Sequence, residues 1–142
     1  MKIDEKLWAF FQNRLGFSDE DMEKFKKDPR NRAIVEKGAD LAGKTIVAEV
    51  VHSSGCNSEH RVGDKFFMDA TGNLISKLCP TKMCIFAIGA LQPLVYAATE
   101  MIYAGVDPNR MLFKRCGCID VGLQCGGWGR IVMELRIVDR NR

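Results

Sequence analysis

The chain has 142 residues, of which 46% are apolar and 27% charged, and a formal net charge of +3. This is globular composition at a length that buries one core without staples, which excludes disordered and disulfide-dependent miniature classes. RNRAIVEK and the VDRNR tail are basic but too short to form the electrostatic footprint of a nucleic-acid binder.

The N-terminus, MKIDEKLWAFF, is charged and lacks an apolar segment followed by a small-residue cleavage site. No secretory leader is read there, and a cytoplasmic location is expected. The six cysteines are then expected as thiols or metal ligands rather than disulfides. Residues 1–43 read as a helical N-terminal arm. Leu7, Trp8, Phe10, Phe11 and Leu15 recur at helical spacing, and Gly16 offers a C-cap. Ser18 is placed to N-cap a second helix, with Asp21 at the capping-box position. Asp28-Pro29 breaks that helix and opens a third, which runs through Val35 to near Gly38. The arm's aromatic residues, Trp8, Phe10, Phe11 and Phe17, are expected to pack within the protein, against a protein partner, or in a homo-oligomer.

Residues 44–142 read as the core domain. KTIVAEVVH and DKFFMDA alternate and are rich in β-formers, so each predicts a strand. Thr71-Gly72-Asn73 is a tight turn, and Leu74 to Leu78 predicts a short third strand. The segment from Met83 to Thr99 carries no charge. Its length is marginal for a membrane span and Gln92-Pro93 interrupts it, so a buried helix is expected and no membrane is implied. MLFKRCG and RIVMELRIV predict two further strands. The sum is α+β: a small antiparallel sheet packed against one long apolar, Pro-interrupted helix, preceded by the arm.

Chemistry-bearing residues concentrate in the core. Cys56 and His60 stand four apart in CNSEHRVGDKF, between the first two strands. Cys79 precedes Pro80, and a proline at the first helical position would make Cys79 the N-cap, where outward-pointing amides stabilise a thiolate. Cys118-Ile119-Asp120 follows a strand, and Cys125 opens CGGWG, which reads as a hairpin turn because it lacks the Lys-Ser/Thr of a phosphate loop. Cys84 reads as a small core residue of the apolar helix, and His52 as a surface residue or one that supports the site from behind.

The order CxxxHRVGDKF, then CP with an apolar A-x-x-A-L-x-P helix, then C-x-D before the last strand resembles a small uncharacterised family of short prokaryotic proteins. These are found especially in anaerobes, with a core of C-P-x-G-H-K-V-G-D, C-P and C-P-D. The resemblance spans roughly residues 45–138 and picks out Cys56, His60, Gly63, Asp64, Cys79, Pro80, Pro93, Cys118 and Asp120. Ser58-Glu59 and Ile119 depart from the family pattern, and the arm and CGGWG are additional. The resemblance carries no activity with it, but it groups three thiols and one imidazole in one motif.

Two functions follow as expectations. In the first, Cys56, His60, Cys79 and Cys118 bind zinc or an iron–sulfur cluster, with Cys116 or Cys125 as substitutes and Asp120 orienting the imidazole. The protein would then be a small cytoplasmic subunit or accessory protein of an anaerobic metabolic system. In the second, a metal-free small-molecule-binding enzyme uses Cys79 as nucleophile, His60 as base and Asp64 or Asp120 as orienter, with Phe66, Phe67 and Trp128 lining its pocket.

Overall fold

The computed structural model describes residues 3–140. Met1, Lys2 and the last two residues of the VDRNR tail lie outside the described residues. Contacts divide the chain into two compact units, residues 1–40 and 41–142.

The first unit is helical. Helix α1 (Glu5–Leu15) starts at Asp4, whose carboxylate accepts the Lys6 amide, and stops at Gly16, where φ of 68° suits a residue without Cβ. Helix α2 (Asp19–Lys27) is capped by Ser18, whose Oγ accepts the Asp21 amide at 3.1 Å. Helix α3 (Pro29–Glu36) has Asp28 as its N-cap and Pro29 in its first turn. Ile3, Trp8, Met22 and Val35 form the core of this unit, with Phe11, Phe17 and Phe25 packed beside them. Trp8 and Phe25 meet edge to face, while Phe10 remains 52% exposed. A short helix, α4 (Gly38–Ala42), leads into the second unit.

The second unit is α+β. Strands β1 (Lys44–Ser54), β2 (Lys65–Asp69), β3 (Arg115–Gly117) and β4 (Arg130–Asp139) form an antiparallel sheet in the order β2-β1-β4-β3. Alternation puts Ile46, Ala48 and Val50 of β1 and Ile131, Met133 and Leu135 of β4 on one buried face. Burying each large aliphatic side chain contributes about 1.5–3 kcal/mol. Ala87, Leu91 and Ala98 of helix α5 (Ile85–Tyr103) pack on that face. Leu41, Ala70 and Ile102 form a smaller cluster.

Three expectations need correction. Residues Leu74 to Leu78 make a single bridge, Met68 to Leu74, followed by a 3-10 turn over Ser76–Leu78. The strand predicted from MLFKRCG contracts to β3, because Leu112 and Phe113 are about nine-tenths exposed and have no sheet face to bury. Helix α5 is continuous through Pro93 and buries one stripe only; Ile85, Phe86 and Tyr96 on its other side are exposed. By length and composition alone α5 could cross a membrane.

Candidate functional site

The stretch CNSEHRVGD folds as two successive turns. The Glu59 amide donates to the Cys56 carbonyl, and the Asp64 amide to the Arg61 carbonyl, at 3.0 Å each. Asp64 closes the second turn by accepting the Arg61 amide on Oδ2. A bulge between Val50 and His52 shifts the register of β1 just before these turns, leaving Ser53 opposite Ile131. The Ser53 hydroxyl donates to the His60 carbonyl at 2.6 Å, which ties the loop back to the strand. His52 is exposed.

His60 is buried, at 3% exposure, with its ring edge-on to Phe66. Its Nε2 accepts the backbone N–H of Cys84 at 3.3 Å. Nε2 must therefore carry the lone pair, and the ring proton sits on Nδ1, which lies 3.7 Å from Asp64 Oδ2. That separation is electrostatic contact rather than a hydrogen bond.

The structure moves the helix terminus from Cys79 to Cys84. Cys84 is the N-cap of α5, with φ −76° and ψ 123°, and its carbonyl accepts from Ala87 and Ile88. Its sulfur makes no cap hydrogen bond of full geometry. Burial pushes the Cys84 thiol up, but the Ser58 hydroxyl and the Ala87 and Phe86 amides facing it outweigh that, and the net direction is down. The thiolate-stabilising position expected of Cys79 thus belongs to Cys84.

Cys79 instead follows the 3-10 turn and faces the outer edge of β2. Its Sγ accepts the Phe67 amide at 3.3 Å and lies 3.5 Å from the Phe67 carbonyl oxygen. Cys118 follows β3 at the opposite edge, and its Sγ accepts the Ile131 amide at 3.4 Å. The amides that hold the two sulfurs lie on β2 and β4 with β1 between them, and Phe67 registers through Val47 with Arg136, five residues along β4 from Ile131, which is roughly 16 Å along the strands. Two sulfurs on one zinc ion each sit about 2.3 Å from it. Cys79 and Cys118 accordingly do not meet at a common centre. Cys116, on β3, has its thiol pushed up by burial and then by the neighbouring Cys118. Cys125 is exposed, whereas Cys56 is half-buried against the core.

Asp120 holds its own loop together. Its carboxylate accepts the amides of Gly122, Trp128 and Gly129, and these hold it below the usual carboxylate range. Two glycines of CGGWG make this possible. A Cβ at Gly127 would overlap the Asp120 carboxylate, and one at Gly129 would overlap the Gly55 carbonyl. The carboxylate beside His60 is that of Asp64.

The structure therefore brings together Ser58, His60, Asp64 and Cys84. Cys56 and Cys118 lie at the same end of the sheet: Cys56 follows the last residues of β1, and Cys118 pairs with Ile131, which faces Ser53. Among the described residues no three His, Cys, Asp or Glu side chains stand close enough to hold an ion. A scan against protein-family models finds no match to this chain, nor do searches of curated proteins and solved structures. Sequence reasoning reads Cys84 as a small core residue and Ser58 as a departure from the family pattern, and gives neither a role in the site. The only local signal for Cys84 is that the uncharged, apolar run which becomes α5 starts directly after it.

Proposed function

We propose that the protein acts through a cysteine thiolate at Cys84, in a metal-free arrangement in which His60 and Asp64 position the sulfur. The observation that carries this reading is the N-cap placement of Cys84, with its thiol pKa lowered and its amide held by a buried imidazole. A thiolate at the start of a 19-residue helix is a nucleophile toward an electrophilic carbon or a disulfide sulfur. Because the His60 lone pair is engaged by the Cys84 amide, activation comes from the helix terminus and Ser58, and His60 serves as anchor rather than base.

Alkylation of the native chain with iodoacetamide, quenched over time and mapped by peptide mass, tests this. One fast thiol is expected, at Cys84, with a rate profile that inflects below that of free cysteine. Equal rates at Cys84, Cys79 and Cys118 would overturn the reading.

Metal binding is retained as a second reading on one observation. Cys56, Cys84 and Cys118, like Cys79 and Cys116, pack against the same core cluster; the first three lie toward the end of the sheet that holds His60, although as they stand they do not converge on one ion. Zinc or an iron–sulfur cluster held there would use Cys84 where the sequence points to Cys79. Protein purified without oxygen would then contain stoichiometric metal, with absorbance toward the blue for iron–sulfur and no colour for zinc. Cys84 would be shielded from alkylation until the metal was removed.

A further inference from the structure

A cleft of about 460 Å³ opens between α5 and the turn that follows β2, and the thiol chemistry above makes no use of it. Its volume falls in the range of small-molecule sites, roughly 300–1,000 Å³. Met68, Leu74, Ile88, Leu91 and Val95 give it apolar walls. Gln92, Tyr96 and Glu100 follow one another at four-residue spacing along α5 and line the same cleft, with Tyr103 one turn further on.

The polar groups around the cleft divide into two kinds. Some are already engaged. The Thr99 hydroxyl lies 2.9 Å from the Ala70 carbonyl oxygen and 3.0 Å from that of Val95. The Asp69 carboxylate organises its turn by accepting from Thr71 and Asn73. Glu100 is different. Its carboxylate is exposed at the rim of the cleft, and among the described residues no Lys, Arg or His forms an ion pair with it. Its charge is felt by Tyr103, whose hydroxyl is pushed up first by burial and then by Glu100. Tyr96 is 68% exposed at the opening.

We propose that this cleft binds a small organic cation, with its apolar body on the aliphatic walls and its ammonium group against Glu100 and the rings of Tyr96 and Tyr103. The chemistry is complementary on each count. A quaternary ammonium has no hydrogen-bond donors to satisfy, which suits walls that are mostly apolar. Aromatic faces attract such a cation, and an unpaired carboxylate supplies the counter-charge. An anion would meet Glu100 with repulsion, and a neutral apolar molecule would leave it unused.

Benzyltrimethylammonium, titrated into the full chain and followed by tyrosine ring resonances and calorimetry, tests the assignment. Saturable binding in the millimolar range or tighter is expected, with Tyr96 and Tyr103 resonances shifting. Glu100→Gln should weaken binding roughly fivefold, the scale of a partly exposed ion pair with its cation–π neighbours. Val95→Trp, which fills the cleft without altering its charge, should abolish binding, with circular dichroism showing the fold retained. Failure of benzyltrimethylammonium to bind the wild-type chain overturns the proposal. So does equal binding by its uncharged carbon isostere, neopentylbenzene, or an unchanged affinity in Glu100→Gln. None of these readouts depends on Cys84, so the cleft and the thiolate site stand or fall separately.

Discussion

At His60 one lone pair has to serve one partner. While Nε2 accepts the Cys84 amide, it cannot also accept a thiol proton or bind an ion. His60→Ala removes a buried ring that packs on Phe66 and leaves the Cys84 N–H unpaired. Loss of roughly 2–4 kcal/mol in urea denaturation is expected, from the cavity and the orphaned donor together. His60→Gln keeps an acceptor and should recover part of both stability and Cys84 reactivity. Ser58→Ala should do the reverse: stability is nearly unchanged, while alkylation of Cys84 at neutral pH slows because its pKa rises. The sign of the pH dependence follows. A thiol whose folded pKa is lowered adds stability that is complete above the ordinary thiol value and is lost as pH falls through the lowered value. Cys84→Ser should remove that slope from a plot of stability against pH, and persistence of the slope would place its origin elsewhere.

Among the elements, α5 shows how local and tertiary signals compete. Pro80 is a good first helical residue, and the pattern at Cys79-Pro80 reads as a helix start for that reason. The Cys79 sulfur, however, is tied to the Phe67 backbone at the edge of β2, and helix begins only at Ile85. A bond between residues twelve apart is not visible in a window of local propensity. β1 and β4 were legible because alternation is itself the physical cause of their burial. Leu74 to Leu78 was not, since Asp69 and Asn73 build a turn that returns Leu74 to Met68 and then leaves the sheet. Of the candidate site, the loop from Cys56 to Asp64 and the buried imidazole's neighbourhood could be located, but its sulfur could not. The exposed face of α5 carries a separable cost. Gly89 has an open surrounding and no positive φ, and Pro93 lies inside the helix, where it lacks the amide that would bond the Gly89 carbonyl. Gly89→Ala should stabilise by about 0.5–1 kcal/mol through helix propensity. Thermal and urea melts check this, and a destabilised variant would show that the Gly89 face is covered in solution.

Among the described residues, the two larger hydrophobic cores are assembled from different parts of the chain. Every residue of the first, Ile3, Trp8, Met22 and Val35 with their aromatic neighbours, comes from the first forty positions. Every buried residue of the sheet-and-helix core comes from position 46 onward. A forty-residue helical unit buries too small a fraction of its surface to be more than marginally stable alone, whereas about a hundred residues suffice for a cooperative fold. Stability should therefore be distributed in two steps. Native-state hydrogen exchange on the full chain is expected to show the β1 and β4 amides opening only with global unfolding. Amides of α1, α2 and α3 should exchange through a separate opening of lower free energy. Met22→Ala should lower protection in those three helices and leave Ile46, Val50 and Leu135 unchanged, because Met22 belongs to the first core. If Met22→Ala instead lowers protection across the sheet by the same amount, the two cores open as one unit, and the thiolate at Cys84 depends on the helical segment for its integrity.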